Sequence, residues 1–77
     1  MSAGGFAVLL YEYTDDGQPL VGRRDFATER EAERFAWFVA GREVPFDDRT
    51  AVVSLACVWE CDGAGELVRP TGEEFEG

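Results

Sequence analysis

The sequence predicts an α+β fold: a small antiparallel β-sheet in the order β-β-α-β-β, with one α-helix packed on one face. Three patterns carry that expectation. Residues 6–13 and 50–61 alternate with the period of two that sorts side chains onto the faces of a strand, and both are rich in strand-favouring residues. Between them, Ala32, Phe35, Ala36 and Val39 recur at the i, i+3, i+4, i+7 spacing of a helix face. Asp-Gly pairs at 16–17 and 62–63 supply turn chemistry between strands. Two hairpins flanking one helix are most simply buried as one sheet with the helix across it.

The stretch 50–61, TAVVSLACVWEC, reads as one long strand around which the chain is organised. Ala51, Val53, Leu55, Cys57 and Trp59 form its apolar face, while Thr50, Val52, Ser54, Ala56 and Val58 form a smaller, mixed one. The first strand, 6–13, places Phe6, Val8 and Leu10 on one face and Ala7, Leu9, Tyr11 and Tyr13 on the other. Apolar on both faces, it reads as central. Residues 14–19 form a hairpin loop in which Gly17 accepts a positive φ. The second strand, 20–26, is weakened by Gly22, and Arg23, Arg24 and Asp25 suit a sheet edge, where charge discourages further pairing.

The helix is expected over 27–40. Thr28 and Glu31 form a capping box, Glu29, Glu31 and Glu33 sit near the positive end of the dipole, and Gly41 ends the helix. Phe38 flanks the packing stripe; Trp37 falls on the far side, beside Arg30 and Arg34. Residues 42–49 read as a connecting loop, 62–65 as a turn and 66–69 as a short last strand. The acidic, Gly-rich tail 70–77 is expected to fray, as is the loose leader 1–5. The 77 residues read as a single domain, short enough to bury only about 60% of the unfolded surface. One helix covers one face, which leaves the other, with Leu9, Tyr11 and Tyr13 beside Val52 and Val58, partly open.

Sixteen acids against seven bases give a net charge of −9 and a pI near 4.2, beyond the roughly 2–8 charges that keep a small domain soluble. All the bases are arginine, and they cluster: 23–42 holds five arginines against four acids, whereas 43–77 holds nine acids against two arginines. Direct binding to nucleic acid or to an anionic membrane is excluded on this ground, because both need a basic footprint. No apolar run is long enough to span a bilayer.

Cys57 and Cys61 on one strand would stand roughly 13 Å apart, too far to bridge, and read as reduced thiols in a cytoplasmic protein. Without histidine or a third cysteine, a zinc site lacks ligands, and no cofactor motif is present. No nucleophile–base pair points to an enzyme. Asp62-x-x-x-Glu66 and Asp15-Asp16-Gly17 lack the spacing of a calcium loop and read as turns.

The residues left for function are the acids Asp47, Asp48, Glu60, Asp62, Glu66, Glu73, Glu74 and Glu76, with Trp37 as an anchor; stacking by Arg34 or cover from the tail is the competing reading of that tryptophan. They predict a non-catalytic protein that docks on a basic protein surface, one that ordinarily binds nucleic acid, with carboxylates standing where phosphates would. In size and charge alone the chain is similar to DNA-mimic inhibitors, phage anti-CRISPR proteins among them. The alternative is a homodimer, or another homo-oligomer, that pairs through the open sheet face or Trp37.

Overall fold

The computed structural model describes residues 4–15, 17, 19–46 and 49–77. Its elements are β1 (Phe6–Tyr11), β2 (Leu20–Phe26), α1 (Glu29–Val39), β3 (Glu43–Phe46), β4 (Arg49–Val52), β5 (Leu55–Cys61) and β6 (Leu67–Glu76). The fold is α+β: a four-stranded antiparallel sheet, in the order β2-β1-β5-β6, carries α1 on one face. The expected β-β-α-β-β order is met only roughly, since the described residues form six strands.

β1 is central, as its two apolar faces predict. It lies between β2, with Phe6 opposite Phe26, and β5, with Val8 opposite Val58 and Leu10 opposite Ala56. Those four residues of β1 and β5 meet Ala32, Ala36 and Val39 of the helix, and Val53 completes the core. Phe26 and Phe35 close one flank with ring centroids 5.1 Å apart, and Phe75 of β6 packs against the same cluster.

The single strand expected over 50–61 is broken at Val53 and Ser54. The residues there pair with the helix end instead. Gly41, at φ 82°, donates its N–H to the Val53 carbonyl at 2.7 Å, and Val53 donates to that of Arg42 at 2.9 Å. Ser54 donates its N–H to Tyr11 at 2.8 Å and accepts that of Gly77 at 3.0 Å. Its Oγ accepts the N–H of Tyr13 at 3.1 Å. The break inverts the faces. Ala51 and Val53 are buried before it and Ala56 and Val58 after it, while Leu55 and Trp59 lie on the side away from the helix and are only half-buried. A period of two read through a kink assigns one half to the wrong face.

β4 pairs with β3 in a separate two-stranded sheet, so the expected loop 42–49 contains a strand. This hairpin folds onto β2 at Gly22. The Phe46 ring occupies the space that a side chain at 22 would need, and the Arg24 guanidinium stands 5.6 Å from its centroid. Asp47 and Asp48 lie outside the described residues.

The short last strand and the fraying tail are in fact one strand of 10 residues. β6 runs beside β5 from Leu67 opposite Cys61 to Glu76 opposite Leu55, with a register shift between Cys57 and Trp59. There β6 bulges. Gly72 takes φ 98°, and the Thr71 hydroxyl donates to the Val58 carbonyl at 3.1 Å and accepts the Glu73 N–H at 3.2 Å. Phe75 anchors the segment against the core, which outweighs the acidity of its neighbours. In the leader, Gly5 accepts the Cys61 N–H at 3.0 Å, and 1–3 lie outside the described residues. In the first hairpin, Thr14 and Gly17 exchange backbone hydrogen bonds of 2.8 and 3.1 Å, with Gly17 at φ 129°; Asp16 and Gln18 lie outside the described residues.

The helix starts as its cap predicts. Thr28 Oγ1 accepts the Glu31 N–H at 3.2 Å, and its hydroxyl donates to Glu31 Oε1 at 3.2 Å. Thr28→Ala is expected to lower stability by about 1 kcal/mol. The expected readout is a lower urea midpoint at an unchanged slope; an unmoved midpoint would show that the cap contributes nothing.

Candidate functional site

The predicted acids do not share one surface, and two of them are held by the fold. Glu60 pairs with Arg69 at 3.0 Å. Asp62 builds the β5–β6 turn, its Oδ1 accepting the N–H groups of Ala64 at 2.8 Å and Glu66 at 2.9 Å, with Gly65 at φ 84°. Glu66 is exposed on that turn, and its carbonyl accepts the Asp62 N–H at 2.9 Å. This is the turn geometry expected there.

The other end of β6 is different. Glu73, Glu74 and Glu76 are exposed, and none is in an ion pair among the described residues. α1 presents Trp37, 70% exposed, and Phe38, 54% exposed. Between helix and strand runs a groove of about 570 Å³ lined by Glu33, Arg34, Phe35, Trp37, Phe38 and Phe75. It continues past Ala40 and Arg42 to Glu74 and Glu76. The structure therefore brings Trp37 to the edge of β6 at Glu74 and Glu76, with Glu73 near Glu33 of the same helix, and leaves Glu60, Asp62 and Glu66 at the far end of the β5–β6 pair.

The exposure of Trp37 rules out cover by the tail. The guanidinium that lies over a ring of this helix belongs to Arg42, 4.3 Å from the Phe38 centroid, and its Nε donates to the Phe38 carbonyl at 2.7 Å. Sequence reasoning missed Phe38, Phe75 and Glu33. An available signal was the run Glu73-Glu74-Phe75-Glu76, an apolar residue among acids, which is the pattern of a strand with one covered face.

The Glu33 carboxyl is pushed above its ordinary value by partial burial and then by the negative charges of Glu73 and Glu29. A cation placed there would relieve this repulsion. A second depression, on the sheet face away from the helix, is lined by Tyr11, Leu55, Cys57, Trp59 and Pro70 and is bordered by Glu73 and Glu74.

Cys57 and Cys61 are free, buried thiols. Burial pushes Cys57 up, helped by Glu74. Burial also pushes Cys61 up, against the opposing Arg23, whose Nη2 lies 3.8 Å from the sulfur. Tyr11 is raised by burial and by Cys57. A group raised in the folded state stabilises it below the ordinary value and loses that contribution as pH climbs through the raised one. Stability is therefore expected to fall as pH rises beyond the ordinary thiol value of 9.0, and both native thiols should alkylate more slowly than in the unfolded chain. Urea midpoints that climb on the alkaline side would contradict this. Among the described residues, no group of three or more potential ligands could hold a metal ion, and no helix is long and apolar enough to cross a membrane.

Comparison of the chain with protein-family models, curated proteins and solved structures returns no match.

Proposed function

We propose that this protein is a non-catalytic binding module whose α1–β6 face docks on a Lys/Arg-rich surface of a nucleic-acid-binding protein and competes there with the nucleic acid. The observation that supports this reading best is the exposure of Trp37 and Phe38 in a groove that Glu33 lines and that reaches the β6 edge at Glu74 and Glu76. The two kinds of group do different work. Carboxylates in a −9 field steer a cationic partner to the surface, and an exposed tryptophan, once desolvated, slows its departure.

The informative variants are Glu73→Arg and Glu74→Arg together, because Glu60 and Asp62 are engaged by the fold. Against a partner isolated by pull-down, the pair should slow association by about tenfold or more and flatten its salt dependence, while Trp37→Ala should mainly speed dissociation. Association kinetics that do not change would reject the acidic face. A saturated partner that keeps its nucleic acid would reject the competition. The second reading, self-association through Tyr11, Leu55 and Trp59 on the open sheet face, rests on the half-exposure of those side chains and predicts an association that salt does not weaken.

A further inference from the structure

β6 ends the sheet order, so among the described residues its outer side has no strand partner. Alternation in an antiparallel ladder fixes which of its backbone groups are free. Gly77 donates its N–H inward to Ser54, which turns the N–H and C=O groups of Glu74 and Glu76 outward. Side chains alternate too. Phe75, opposite Ala56, faces the helix, whereas Glu74 and Glu76, opposite Cys57 and Leu55, face the other side. The free edge thus borders an apolar groove on one face and a row of carboxylates on the other.

We propose that the edge of β6 from Glu73 to Glu76 takes up an extended segment of the partner as an added strand, with alternate residues apolar and basic. This rests on the basic-partner reading above and specifies what the partner offers. Apolar side chains of the segment lie in the groove of Trp37, Phe38 and Phe75; Lys or Arg side chains pair across the strands with Glu74 and Glu76. A second copy of this chain does not fit, because antiparallel pairing of two β6 edges sets Glu73, Glu74 and Glu76 against the same acids. A helix in the groove would leave the outward N–H and C=O groups without strand partners. The rest of the edge is closed to pairing: Pro70 has no N–H and the bulge at Thr71–Glu73 interrupts the ladder. Docking is therefore confined to the acidic end.

The test uses the whole chain, labelled with ¹⁵N, and a peptide of about ten residues alternating valine with arginine. Its controls are the same peptide N-methylated at every second residue, which cannot pair as a strand, and a scrambled peptide of equal charge. Amide exchange at Glu74 and Glu76 is expected to slow by about tenfold or more with the alternating peptide only. Glu74→Pro, which removes an outward N–H, should abolish the effect, while Glu74→Gln should weaken it by only a few fold. Equal binding of all three peptides, with exchange at Glu74 and Glu76 unchanged, overturns the added strand and leaves the acidic docking face standing. Absence of binding by the alternating peptide also overturns the added strand, and the pull-down kinetics of Glu73→Arg with Glu74→Arg then judge the acidic face separately.

Discussion

Leu10→Ala is expected to cost the fold about 2–5 kcal/mol. Leu10 is fully buried on the central strand, where it packs beneath the helix in one cluster with Val53 and Ala56. Its neighbours Ala32, Ala36 and Ala56 are already minimal, so little side chain is available to collapse into the space that is vacated. A chain of this length holds about 4–12 kcal/mol in total, and the substitution removes about a sixth of that or more. The comparison is Leu55→Ala. At the sequence level Leu55 belongs to the core face of the organising strand, but it lies half-exposed on the sheet's other side, so its loss should be clearly smaller. If the two variants melt together, or Leu55→Ala is the worse, the inversion of faces at Ser54 is wrong.

Gly22→Val is expected to destabilise, although strand propensity alone predicts the opposite. Valine in place of glycine within a strand is worth about 0.5–1 kcal/mol. Here the new side chain would enter the space held by the Phe46 ring, which Arg24 also flanks. Overpacking costs about 1–3 kcal/mol, so the clash exceeds the gain and the β3–β4 hairpin lifts from β2. A fluorescence or exchange probe on β3 should report the detachment before global unfolding. A Gly22→Val variant more stable than the parent would mean that Phe46 is not seated on β2.

The elements that local rules govern were legible in the chain. Thr28 and Glu31 announce the helix start, Gly41 its end, the two-faced apolar pattern of 6–13 its central place, and the charges of 20–26 an edge. What escaped depends on contacts distant in sequence. No local rule says that Val53 will bond to Gly41 and Arg42, so the kink and the inverted faces were invisible. Gly22 reads as a weakness until Phe46 is placed on it. The tail reads as fraying because its acids outnumber its apolar residues, yet it pairs with β5 and Phe75 packs against the core. The site follows the same division. Trp37 could be placed outside from the helical period, but its approach to the β6 edge at Glu74 and Glu76 needed the extent of β6, and Glu60 and Asp62 read as free charge until their partners Arg69, Ala64 and Glu66 were known.

The sheet order carries a kinetic consequence. β1 pairs with β2, its neighbour in the chain, but its other edge waits for β5, where Phe6 meets Glu60 and Tyr11 meets Leu55. The β1–β2 and β5–β6 hairpins each close locally, on the microsecond scale of such events. Joining them requires closure across more than half of the chain, and that entropy must be lost before any contact between the halves repays it. During synthesis β1 emerges long before β5, and Val8 and Leu10 lack their Val58 and Ala56 neighbours until the second hairpin arrives. The nascent chain therefore passes through a stage with an apolar strand and one open edge, when its hazard is aggregation rather than misfolding of any single element.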